Sequence, residues 1–133
     1  MASKQEIRSM LSGGDRRSIG RVAEVIHIVN GNAQLISILV DCLRDEDTCV
    51  RMRAADALEK ISRDCAALFR SHKASLLGSL AKATQQEVRW HLAVIVPRLQ
   101  LTPFECRRAA NILETYLEDR SSIAQDLRHA GVG

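Results

Sequence analysis

The chain has 133 residues, enough for one domain with a continuous core. Apolar residues make up 46% and aromatics only 3%, which excludes a disordered chain and asks for a core of Leu, Ile, Val and Ala. The net charge of +3 is too small to imply nucleic acid by itself, because phosphate binding calls for a concentrated basic face.

Taken in chain order, the helix signals are these. Ser3-Lys4-Gln5-Glu6 reads as a capping box, in which a hydroxyl and a carboxyl three residues apart satisfy each other's backbone donors; the helix it opens ends near Gly13-Gly14. Asp15 is the expected cap of a second helix that runs to Val29, before Asn30-Gly31. Asn32 caps a third, Ala33 to Leu43, with Leu35, Ile36, Leu39, Val40 and Leu43 as its apolar stripe. Asp47 caps a fourth, to about Ser62, and a fifth spans His72 to Ala83. Thr84-Gln85-Gln86-Glu87 is a second capping box, opening a sixth helix to about Leu99. Pro97 late in that helix removes one backbone donor and predicts a bend. Thr102-Pro103-Phe104-Glu105 is a third box, with proline at the favoured first position, and its helix runs to about Glu118. A short eighth helix is expected from Ser122 to near Gly131. The fold class that follows is all-α, with helices in sequential pairs.

The cysteines at 42, 49, 65 and 106 contain no C-x-x-C pair, and the four histidines are scattered. The expectation is buried, reduced thiols with no metal site. No phosphate loop or nucleophile–base pair stands out, so no cofactor and no enzymatic activity are expected. The first six residues are polar and no apolar run approaches ~20 residues, which predicts a cytoplasmic chain with no membrane partner.

An internal repeat carries the rest of the reading. A shift of 38 residues places Val88 on Val50, Arg89 on Arg51, Ala93 on Ala55, Val96 on Leu58 and Leu99 on Ile61. A weaker copy lies 32 residues upstream, with Val22 on Ala54, Ala23 on Ala55, Ile26 on Leu58 and Val29 on Ile61. A truncated copy lies 36 residues beyond the third, with Ala124 on Val88 and Gln125 on Arg89.

At Leu43-x-Asp45-x-Asp47-x-x-Val50-Arg51-x-x-Ala54-Ala55-x-Ala57-Leu58 the chain resembles the HEAT-repeat family, in particular its PBS-lyase-like subtype. The resemblance implies a right-handed α-solenoid of about four helix pairs, at 1–30, 31–63, 64–100 and 101–133. It places Val50 and Val88 in the core. It implies a ladder in which Arg51 and Arg89 pair with acids near the inter-helix turns, Asp45 among them; Ala83 stands where the third unit would carry its acid. It also implies that the second helix of each unit lines a concave binding face.

With Val50, Ala54, Leu58 and Ile61 inward, the opposite side of the fourth helix carries Cys49, Met52, Arg53, Asp56 and Lys60. The repeat shifts extend these into rows: Gly20, Met52, Trp90; Arg21, Arg53, His91; Glu24, Asp56, Val94; Ile28, Lys60, Arg98. Trp and Arg are enriched among binding hot spots, so Met52, Arg53, Asp56, Trp90, His91, Val94 and Arg21 form the expected partner-binding surface, centred on Trp90. The function read from this is a scaffold that binds a protein partner. Two alternatives stay open. One is nucleic-acid binding similar to the HEAT-like DNA glycosylases, with Trp90 and Asp56 as the inviting pair and Glu24 and Glu87 interrupting the basic face. The other is an accessory role in chromophore attachment. The short last helix predicts a weak homodimer through the C-terminal end.

Overall fold

The computed structural model of the chain describes residues 3–12, 19–30 and 32–129, with side chains for all of these except 19, 20, 33 and 119–129. All regular structure among them is helical: α1 Lys4–Ser12, α2 Ile19–Asn30, α3 Ile36–Cys42, α4 Thr48–Cys65, α5 Lys73–Lys82, α6 Gln86–Ile95 and α7 Pro103–His129. Shorter 3₁₀ segments cover Ala33–Leu35, Ala66–His72 and Val96–Arg98. The chain divides into two units, Met1–Gln100 and Leu101–Gly133.

Several helix starts follow the local chemistry. The Ser3 hydroxyl accepts from the Glu6 amide at 3.2 Å. Asn32 Oδ1 accepts from the Gln34 amide at 3.0 Å and starts the 3₁₀ turn that leads into α3. Asp47 Oδ1 accepts from the Cys49 amide at 2.8 Å at the head of α4. Thr102 and Glu105 form both halves of their box, at 2.8 and 3.2 Å. The expected Asp15 cap lies outside the described residues.

Three expectations need correction, and one segment had no expectation. The Thr84 box does not form: Gln85 is the cap residue of α6, with no side-chain cap bond, because its amide is engaged elsewhere. The sixth helix ends at Ile95 and tightens into a 3₁₀ turn holding Pro97, so the missing proline donor is accommodated by changed hydrogen-bond spacing. The segment Ala66–His72, which has no helical period, is a 3₁₀ stretch. The eighth helix is not separate: α7 runs unbroken from Pro103 to His129, since neither Gly nor Pro interrupts it after its first residue and Ser122 is helical rather than a cap. The expected dimer rested on a short final helix, and that premise is gone.

In the first unit α4 is the hub, packed against α1, α2, α3, α6 and the Ala66–His72 segment. It can approach so many neighbours because Ala54, Ala55 and Ala57 are fully buried on its surface. The apolar stripe of the third helix is buried along its whole length, from Leu35 to Leu43. The 38-residue repeat holds for most of the core: Val50 and Val88, Leu58 and Val96, and Ile61 and Leu99 are all buried, while Ala93 is half-buried where Ala55 is fully buried. The upstream copy holds less well, because Ala23 is exposed where Ala55 is buried, while Val22, Val25 and Val29 carry the α2 core.

The thiols differ from expectation as well. Cys42 is buried, Cys49 and Cys65 are half-buried and Cys106 is exposed; all four are free. Burial, with Asp45 and Asp41 nearby, pushes the Cys42 thiol up to about 11, so it is protonated and unreactive at neutral pH. Among the described residues no helix is long and apolar enough to cross a membrane.

Candidate partner-binding face

The rows drawn from the repeat converge where α4 and α6 pack together. Trp90 on α6 is 67% exposed, a large apolar surface left in water. Its ring lies 5.4 Å from that of His91, tilted by 34°. His91 Nε2 stands 4.0 Å from Asp56 Oδ1, and the other Asp56 oxygen accepts from Lys60 Nζ at 3.2 Å. Met52 and Val94, also expected on this face, are half-buried. The structure therefore brings Trp90, His91, Asp56 and Lys60 into one contiguous cluster, with an aromatic pair at one end and a charge-balanced pair at the other.

Two residues of the expected face do not join it. Arg21 is exposed on α2, and no hydrogen bond or ion pair among the described residues ties it to this cluster. Arg53 was placed on the solvent side and is instead buried, at 6% exposure. Its Nη1 donates to the Leu11 carbonyl at 2.7 Å, in the last turn of α1. A helix C-terminus presents unsatisfied carbonyls and partial negative charge, and α1 carries no cation of its own in its last turn. Arg53 supplies one from α4. Arg98, in the fourth row, also turns inward: it donates to the Glu59 carbonyl at 2.8 Å and to the Ser62 hydroxyl at 3.0 Å.

Arg51 and Arg89, the two arginines of the expected ladder, bond to backbone carbonyls of the turns before their helices. Arg51 Nη1 donates to the Asp45 backbone carbonyl at 2.8 Å, and Arg89 Nε donates to the Ala83 carbonyl at 2.7 Å. Both bonds span six residues and are related by the 38-residue shift, so each arginine bonds a backbone carbonyl of its own inter-helix turn. The replacement of an acid by Ala83 is thus without effect on that bond. Arg51 Nε also donates to Gln85 Oε1 at 2.6 Å, and Gln85 Nε2 donates to the Thr48 carbonyl at 3.1 Å, tying one turn to the next.

The Asp45 carboxylate has a partner that sequence reasoning missed. Arg8 on α1 grips it with two bonds, at 2.6 and 3.0 Å, while Asp45 Oδ1 also accepts from the Asp47 amide at 2.9 Å. Hydrogen bonding and charge from Arg8 hold the Asp45 carboxyl below the usual carboxylate range. No cluster of three or more His, Cys, Asp or Glu placed to hold a metal occurs among the described residues. Comparison with protein families, with curated proteins and with solved structures returns no match to this chain.

Proposed function

We propose that the chain is a binding scaffold rather than a catalyst: a short HEAT-like, right-handed solenoid whose protein partner docks on the Trp90 face. The solenoid reading is supported by the paired burial of Val50 with Val88 and Leu58 with Val96, and by the repeated arginine-to-carbonyl bonds of Arg51 and Arg89. The observation that carries the docking reading is Trp90 itself, two-thirds exposed on α6 beside His91, which approaches the Asp56–Lys60 pair. An indole fixed in place offers large contact area at small entropic cost, and polar neighbours that are already paired set orientation at its rim. The nucleic-acid alternative is weakened by the loss of Arg53 to the core and by Asp56 among the remaining cations.

The test is affinity capture from the native host with parent protein and Trp90→Ala as matched baits. The expected outcome is a protein retained by the parent and lost with the variant, at equal helicity by circular dichroism. Equal retention by both baits would remove Trp90 from the docking surface.

A further inference from the structure

A cleft of about 350 Å3 lies in the first unit between the turn after α3 and the turn joining α5 to α6. Its lining holds three cations, Arg44, Arg51 and Lys82, together with Ser79, Thr84 and Gln85, and no carboxylate. Arg44 and Lys82 are exposed, and among the described residues neither side chain forms an ion pair. Arg51 is held from behind by Gln85 and by the Asp45 carbonyl, so its charge is fixed in position. Ser79 is 8% exposed, and its buried hydroxyl has no hydrogen-bond partner. An unmet buried hydroxyl is costly and uncommon in a folded chain. The first turn of α6 also reaches the cleft, through Val88, and no side chain caps it.

We propose that this cleft binds a phosphomonoester. A carboxylate is satisfied by one arginine, whereas three cations with hydroxyls and an uncapped helix start match a dianion with three acceptor oxygens. The cleft exceeds a bare phosphate and lies near the lower end of the usual ~300–1,000 Å3 for small-ligand sites, leaving room for the group that carries the phosphate. The assignment stands on this cleft alone and is independent of the Trp90 face.

The test is a titration of the full chain followed by amide NMR, with O-phosphoserine, a phosphoserine peptide and acetate as probes. Saturable shifts at Arg44, Ser79, Lys82 and Thr84 are expected with both phosphorylated probes, and the tighter of the two identifies the source of the group. Binding should strengthen as pH rises through the phosphate's second pKa of about 6. Arg44→Gln and Lys82→Gln should each weaken binding about tenfold, with unchanged unfolding midpoints, because both side chains are exposed. Absence of saturable shifts, equal binding of acetate, or undiminished binding by the Arg44→Gln/Lys82→Gln double variant would overturn the proposal.

Discussion

A buried guanidinium must find acceptors for its donors, and Arg53 finds one in the Leu11 carbonyl at the end of α1. Trp90, which sits in the next row of the same repeat pattern, keeps two-thirds of its surface in water. These placements predict opposite outcomes for two alanine variants. Arg53→Ala removes a charged bond and strands a carbonyl, which costs about 1.5–3 kcal/mol of stability. Trp90→Ala removes little buried surface and should leave the urea midpoint nearly unchanged. Similar midpoints for the two variants would mean that Arg53 is not structural. The Arg8–Asp45 pair makes a prediction in pH. Its carboxyl is depressed in the folded state, so the pair's contribution is present above the ordinary aspartate value of about 4 and is lost as pH falls through the lower folded value. Arg8→Ala should therefore lower the melting temperature at neutral pH, and the difference from the parent should shrink on acidification. A difference that persisted well below pH ~4 would show that Arg8 acts by packing rather than by charge.

Among the elements, α5 carries an unforced weakness. Gly78 lies within it, and a Cβ added there meets nothing within 4 Å. Glycine inside a helix costs about 0.5–1 kcal/mol relative to alanine, so Gly78→Ala should raise the urea midpoint by that equivalent. A lowered midpoint would mean that Gly78 is needed for a close approach. The continuity of α7 has a sharper test. Proline is accepted in the first turn of a helix but removes a bond and clashes in its interior, at about 3 kcal/mol or more. If Ser122 opened a separate helix, Ser122→Pro would leave helicity intact. With α7 unbroken through this position, the variant should lose ellipticity over the turns around residue 122. The starts of α4 and α7 were legible because Asp47, Thr102 and Glu105 find their partners within three residues. The start of α6 was not, because Gln85 is taken by Arg51, 34 residues away, and no local pattern records such competition.

At the scale of the first unit, the 38-residue shift made much of the core legible: Val50 and Val88, Leu58 and Val96, and Ile61 and Leu99 share burial. The rows set Trp90 level with Met52, His91 with Arg53 and Asp56 with Val94; the His91–Asp56 approach crosses two of those rows and was not legible in them. The repeat failed for Arg53, because a polar/apolar pattern sends every arginine to solvent, and for the cleft at Arg44 and Lys82, which exists only once two distant turns are brought together. The same charge arrangement bears on the partner's class. Lys60, the cation of the Trp90 cluster, is paired with Asp56, and on the same helix Arg63 is paired with Glu59, so cations of α4 are locally offset. Nucleic-acid affinity depends on neutralising several phosphates and falls steeply with salt. Trp90 is the chain's one tryptophan, which makes its emission a reporter for this face alone. Single- or double-stranded oligonucleotides at physiological salt should leave that emission unchanged, while the captured protein partner should shift it to the blue by excluding water from the indole. A salt-sensitive shift with oligonucleotide would instead make the Trp90 face a stacking platform, where base–aromatic contact rather than a protein surface covers the ring.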